Sequence, residues 1–209
     1  LTTHFIKKSH AMLPYEVMRQ ILFGYVSGEQ CAECVALLRE TDDVLDDYYS
    51  FKKKSKSTIQ RLSELQNKII ASKTVSPLLS KLLTTVVLTR SWLLFEARER
   101  LESQKELKSF FHYSPKDKLS LEYYPRRFRR FVKKVQKETQ VTGNQVKISS
   151  KPTLAKVYVD KVFVGHAPLE VILPMGSYEI GFYADGRKPV LKKLKIKNKN
   201  NRKLNVNLR

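Results

Sequence analysis

Disulfides cannot be the frame of this chain, because two cysteines in 209 residues are far too few for a disulfide scaffold. The fold has to rest on apolar cores, and a 42% hydrophobic content can supply them. Histidine is also scarce: His4, His10, His112 and His166 show no ligand-pair spacing, so no metal motif is present. Seven glycines are too dispersed to form a phosphate-cradling loop, and the chain has no nucleophile elbow and no carboxylate pair set among small residues. A non-enzymatic protein without metal or cofactor is therefore expected.

Long apolar runs are missing too. The longest candidate, Leu78 to Phe95, is interrupted by Lys81, Arg90 and several threonines. It therefore falls short of the uninterrupted stretch of roughly 18 to 20 residues that spans a membrane, and no transmembrane span is expected. Acidic groups are the last shortage: Lys+Arg 40 against Asp+Glu 20 leaves a net charge of +20 at pH 7. Such an excess predicts attraction to nucleic acid, anionic lipid or acidic polymers, and says nothing of fold. Residues 1–140 carry 26 basic and 16 acidic groups and residues 141–209 carry 14 and 4, so each part is near +10 and no basic tail stands out. Two such parts repel mildly, which predicts domains that fold independently.

What is present begins with helical periodicity. Residues 1–13 read as a lead-in, after which Pro14 suits a first helical turn and Val17, Met18, Ile21, Leu22 and Tyr25 form an apolar stripe. Ser27-Gly28 favours a break, and a second helix from about Glu29 turns Cys34, Val35, Leu38 and Leu45 inward. Cys31-Ala-Glu-Cys34 has redox-motif spacing but lies in a helical pattern with no preceding strand, so a packing role or a simple local disulfide is expected. The acidic cluster Asp42, Asp43, Asp46 and Asp47 falls on this segment or on a new helix capped by Thr41, and reads as a solvated face or a complement to lysines. Beyond the basic junction 51–56, Ile59, Leu62, Leu65 and Ile69 share one helical face. Ser76-Pro77 then opens a helix that is apolar over more than one stripe, the expected centre of the N-terminal domain. Another follows through Leu101, Leu107, Phe110 and Phe111 and is stopped by Ser114-Pro115.

The next helix, Arg126 to Glu138, keeps Phe128, Phe131, Val132 and Val135 on one side. It also holds the sharpest basic cluster of the chain: Arg126, Arg127, Arg129, Arg130, Lys133, Lys134 and Lys137. This is a candidate anion- or partner-binding surface with Tyr123 and Tyr124 nearby for stacking, set against a plainly solvated face. Val141 to Gln145 reads as a linker.

Beyond the linker the period changes to two. Val157 and Val159, then Val162 and Val164, alternate with other residues on either side of Asp160-Lys161, which predicts a hairpin whose Lys161 adopts a turn conformation more usual for glycine. Gly165 to Pro168 reads as a second turn, Glu170 to Leu173 as a strand, and Pro174-Met-Gly176 as a third turn with positive φ at the glycine. Tyr178, Ile180 and Phe182 follow on one strand face, and the tail from Lys192 is expected to fold as a hairpin turning near Asn198 to Asn201.

This series of turns resembles the PEGA module, a small β-sandwich of bacterial and archaeal cell-envelope proteins, over about residues 146–209. The pattern is held by Ser149 or Ser150, Pro152, Ala155, Val157, Val159, Asp160, Gly165, Pro168, Gly176 and Tyr178. Thr153 and Leu154 replace its name-giving glutamate and glycine, and Lys161 replaces the glycine usual after the aspartate. The helical hairpins resemble tetratricopeptide-type units, with Leu94, Ser103, Leu107 and Phe110 on the later small and apolar positions counted back from Pro115.

The expected architecture is α+β in two domains: an all-α tetratricopeptide-like domain over 1–140, a linker over 141–145 and a PEGA-type β-sandwich over 146–209. The PEGA resemblance implies an extracytoplasmic compartment, and a chain beginning at Leu1 is what removal of an export signal would leave. The first functional expectation is a scaffold protein of the cell envelope, whose helical domain binds a protein partner and whose β domain attaches to the envelope. The alternatives are a binder of an anionic envelope polymer, peptidoglycan or lipopolysaccharide, and a non-specific nucleic-acid-binding protein.

Overall fold

A computed structural model of the protein describes residues 31–50, 55–113, 119, 121, 124–139, 143–197 and 202–208. The expected helix after Pro14, the basic residues 51–54, the Ser114-Pro115 stop, Tyr123 and the turn near Asn198 to Asn201 lie outside the described residues.

Five helices are described in the N-terminal region. In α1 (Ala32–Tyr49), Cys34, Leu38 and Leu45 are buried as the stripe predicts, and all four clustered aspartates lie on this one helix. Thr41 is not a cap. It sits in mid-helix, where its hydroxyl donates to the Leu37 carbonyl at 2.7 Å. Asp47 meets Arg61 of α2 (Ser55–Ala71) at 2.7 Å, so part of the acidic face complements the next helix.

The α3 helix (Pro77–Glu96) begins as expected, with the Ser76 hydroxyl accepting from the Leu79 N–H at 3.2 Å. It is apolar all round and buried on nearly every side. Its 20 residues, mean hydropathy 1.4, are long and apolar enough to cross a membrane, yet 78% of that window is buried within the protein. Arg90, which interrupts the apolar run, reaches outward to Glu106 at 2.5 Å and Gln66 at 3.1 Å, and so ties α3 to both neighbours. On α4 (Arg100–Tyr113), Leu107, Phe110 and Phe111 are buried, but Leu101, read as inward, is 80% exposed. Its position in the first turn carries it past the edge of the core. Last comes α5 (Arg126–Glu138), anchored by Phe128, Val132 and Val135 beside Trp92 and Phe95.

Among the described residues of the C-terminal region are seven strands: β1 (Asn144–Lys151), β2 (Lys156–Val159), β3 (Val162–His166), β4 (Leu169–Leu173), β5 (Gly176–Tyr183), β6 (Val190–Ile196) and β7 (Arg202–Asn207). They make a three-stranded sheet, β4-β1-β7, and a four-stranded sheet, β3-β2-β5-β6. Because β1 starts at Asn144, the last two residues of the segment read as linker are paired in the sheet. One apolar cluster draws on both sheets: Val146, Ile148, Leu173 and Val206 from the first, Val157, Val159, Ile180 and Phe182 from the second.

Two expectations fail here. The tail is no hairpin: β6 runs antiparallel to β5, whereas β7 crosses to the other sheet and lies parallel to β1. Alternation fixes which side chains face a core but does not identify the neighbouring strand. Gly176 does not adopt a left-handed conformation. It opens β5 with ordinary φ, and a Cβ there would lie 3.2 Å from the Tyr178 hydroxyl, so the glycine leaves room for that ring while Tyr178 donates to the Pro174 carbonyl at 3.1 Å.

Candidate functional site

The hairpin at Asp160-Lys161 is built as its spacing predicts, and it turns out to be where the two regions meet. Asp160 and Lys161 both have positive φ, 45° and 69°, the conformation of a two-residue type I′ turn. The Asp160 carboxylate accepts the Glu179 N–H at 2.8 Å, and the Asp160 N–H donates to the Glu179 carbonyl at 2.9 Å. Lys161 is only 2% exposed. Its ammonium is 2.5 Å from Glu179 Oε1, so the lysine's charge is met within the β region.

Helical residues close over this turn. Val162 joins the helical core, Ser80 of α3 accepts the Phe163 N–H at 3.2 Å, and Tyr113 at the end of α4 bonds Asp160 and meets the Tyr178 ring edge-on at 6.3 Å. Val75 packs on β5 so closely that a Cβ on Gly181 would lie 2.8 Å from its Cγ2. Tyr158 is 2% exposed, so β2 buries both faces where only the Val157 and Val159 face was expected. The two regions are therefore packed together and do not stand apart. Mild repulsion between two +10 parts is outweighed because the seam is apolar and its ion pair is internal.

Burial governs titration at the seam. It pushes the Tyr113 phenol up to about 12, with the Asp160 charge and hydrogen bond adding to the rise. Asp160 itself is raised by burial, partly offset by its bonds to Glu179 and Tyr113. The Asp160 carboxylate, the Asp160 N–H and the Lys161 ammonium all have partners, so the turn acts as a structural clasp. The remaining motif residues have similar duties: Ala155 is buried with its carbonyl accepting the Ala167 N–H at 2.9 Å, Gly165 has φ 145°, and Pro152 and Pro168 are exposed at turns. Leu154, in the place of the pattern's glycine, has φ 68°.

The basic cluster lies apart from this seam. Arg126, Arg127, Arg130, Lys133, Lys134 and Lys137 are exposed on α5, whereas Arg129 is half-buried. Tyr124, considered for stacking, is only 8% exposed and is packed against Trp92 and Phe128, with its phenol pushed up to about 12 by burial. Cys31 and Cys34 form a disulfide across the start of α1, with the Ser76 hydroxyl 3.7 Å from Cys34 Sγ.

An open groove of about 360 Å³ lies on the three-stranded sheet, between Lys147, Ser149, Glu170, Lys203 and Asn205. Its polar groups mostly satisfy one another: Lys147 pairs with Glu170 at 3.0 Å and Ser149 bonds Asn205. Sequence reasoning missed both seam and groove, since their parts are far apart in the chain. A glycine at 181, set between Ile180 and Phe182 in mid-strand, was the only local sign of the close approach. Among the described residues, no group of three or more His, Cys, Asp or Glu gathers to hold a metal.

No curated protein matches this chain. With the turns, the half-buried Asp160 and the two sheets in place, the family assignment covers the β region alone: residues 144–209 match the model of the PEGA domain.

Proposed function

We propose that the protein is a non-enzymatic interaction and scaffold protein of the bacterial cell envelope, acting outside the cytoplasm. Its helical hairpins, of the tetratricopeptide type, hold a protein partner, and its PEGA domain, a β-sandwich, attaches the assembly to an envelope partner. The observation that carries this reading is the use of the PEGA turn as an internal clasp. With Asp160, Lys161, Tyr158 and Gly181 committed to the seam, the domain turns one sheet inward to the helices and keeps the outer face of β4-β1-β7 free. Supporting the tetratricopeptide reading, Leu94, Ser103, Leu107 and Phe110 are all buried, and the Ser103 hydroxyl donates to the Ser91 carbonyl at 2.8 Å where α4 packs on α3. Supporting the sandwich reading, both sheets feed a single apolar cluster.

The test uses the intact chain as bait on solubilised envelope at physiological salt. It is compared with a sheet-face variant, Lys147→Glu with Ile172→Arg at an exposed isoleucine of β4, and a helix-face variant, Ile70→Arg at an exposed isoleucine near the end of α2. A scaffold retains two sets of proteins, one lost with each variant. Identical retention by all three chains would refute the two-surface reading.

A further inference from the structure

We propose that the exposed basic face of α5, extended by Arg100 of α4, is a docking surface for anionic phospholipid headgroups, a contact separate from the protein partners proposed above. The first observation is one of arrangement. At about 100° per residue, Arg126, Arg127, Arg130, Lys133, Lys134 and Lys137 occupy an arc of roughly 120°. Phe128, Val132 and Val135 lie on the opposite side and are buried. Every one of the six is exposed, and at about 1.5 Å per residue they form a row about 16 Å long.

This charge pattern works against the helix that carries it. Cations recur at spacings of three and four, where like charges repel, and two arginines occupy the first turn, where the helix dipole favours acids. Counter-charge is thin: Arg127 to Glu96 is 3.9 Å and Lys134 to Glu138 is 3.7 Å, all four groups well solvated. Arg126, Arg130, Lys133 and Lys137 have no ion-pair partner among the described residues. A face that weakens its own helix points to a binding role for an external anion.

The second observation is that the fold recruits a cation from another element. The Arg100 and Arg127 guanidiniums lie 5.3 and 5.8 Å from the centroid of the same ring, Phe95. Next to Arg100 in the chain, Leu101 is an apolar side chain 80% exposed.

These features select the anion. Stacking on nucleic-acid bases needs exposed rings, and Tyr124 is buried under Trp92 and Phe128. Telling the bases apart draws on amides and carboxylates as well as guanidiniums, and all six positions of the arc are Lys or Arg, a set that suits repeated phosphates better than a base sequence. A short flat row of cations with one exposed leucine suits a plane of closely repeated phosphates whose individual positions do not matter.

The experiment is co-sedimentation of the whole chain with vesicles of phosphatidylcholine, with and without phosphatidylglycerol, at physiological salt. Binding is expected only with phosphatidylglycerol, and the triple reversal Arg130→Glu, Lys133→Glu, Lys137→Glu should weaken it about tenfold or more. The same charge change made elsewhere, Lys192→Glu, Lys193→Glu, Lys195→Glu on β6, should leave it within about twofold, which separates a located face from the total of +20. Far-ultraviolet circular dichroism checks that both variants keep their helices. Equal loss in the two variants, or equal binding to both kinds of vesicle, overturns the proposal. So does retention on duplex DNA or on an anionic glycan resin at this salt without retention on the vesicles.

Discussion

The two sheets of the PEGA domain have opposite surroundings. The four-stranded sheet packs its inner face on the shared β core and is also met from the helical region, by Val75 at Gly181 on the other face of β5, by Ser80 at β3, and by Tyr113 at Tyr178. The three-stranded sheet is packed on one face only, and its outer residues Gln145, Lys147, Glu170, Ile172, Lys203 and Asn205 are exposed. Alternation of burial marks the difference: β1 reads buried and exposed by turns, whereas Val157, Tyr158 and Val159 of β2 are all buried. A strand with two buried faces is intolerant of added atoms on either, and a strand with one is tolerant on the other.

The largest effect should come from Gly181→Ala. Its Cβ would lie 2.8 Å from Val75 Cγ2 and 3.0 Å from Val75 Cβ, so one of the two regions has to shift, at a cost of about 2 kcal/mol. Chemical denaturation of Gly181→Ala, Val75→Ala and the double variant measures this. The double variant should recover part of the loss, with a coupling of about 1 kcal/mol. Strict additivity would mean that the seam is looser than the two-faced packing requires.

Next in size is Lys161. Truncation to alanine removes the partner of Glu179, which is 30% exposed, and leaves a residue with a side chain at positive φ, for a loss of about 1 to 2 kcal/mol. Glycine loses the same ion pair but relieves the backbone, so Lys161→Gly should be about 1 kcal/mol more stable than Lys161→Ala. Thermal unfolding of the two variants side by side gives the difference. Equal melting temperatures would show that the left-handed turn costs the lysine nothing.

The seam should also set the alkaline limit. Tyr113 is raised from 10.0 to about 12, so folding favours its neutral form. The stability it contributes is complete below pH 10 and is lost as pH rises from there through about 12. Tyr124, also raised to about 12, adds to the same loss from inside the helical region. Tyr113→Phe should therefore flatten part of the fall in stability above pH 10, with Tyr124 and the likewise raised Tyr48 and Tyr178 contributing to what remains. Tyrosinate absorbance and unfolding followed together over that range test the assignment.

Local signals carried the sequence reading as far as local physics reaches. Ser76-Pro77 opens α3 because a hydroxyl and a proline each satisfy a first turn, and the run behind it is apolar on every side because it is central. Asp160-Lys161 reads as a tight hairpin from its two-residue spacing alone, and all five described helices lie where apolar period predicted them. What could not be read is what depends on distant partners. The Phe163 to Ser80 bond joins residues 83 apart, and the burial of Tyr158 on the second face of β2 is not written in its own segment. The same holds for β7, whose alternating Leu204, Val206 and Leu208 announce a buried face but not that it belongs beside β1. Gly176 shows a further limit, since a glycine that makes room for a ring looks in sequence like a glycine that turns the chain. The basic cluster on α5 was legible as a cluster, and its six-position arc follows from helix geometry, but the burial of Tyr124 beside it did not.

The smallest effect belongs to the open sheet, and its sign is the test. On the outer face, Lys147 of β1 is registered opposite Lys203 of β7, two like charges side by side, while Glu170 of β4 pairs with Lys147 from the other flank at 3.0 Å. Lys203→Glu would turn a repulsive pair into an attractive one and place Lys147 between two carboxylates. The position is exposed, so the gain is screened by water and salt and should be no more than about 0.5 kcal/mol. It should be measurable at low ionic strength and disappear at high, because exposed charges separated by several ångströms are largely screened within a Debye length of about 3 Å at 1 M salt. Denaturation midpoints of Lys203→Glu and of neutral Lys203→Gln at both salts decide the matter. If Lys203→Glu destabilises the protein by 1 kcal/mol or more, about the scale expected at the buried seam, the outer face of β4-β1-β7 is not an open surface and the contrast between the sheets fails.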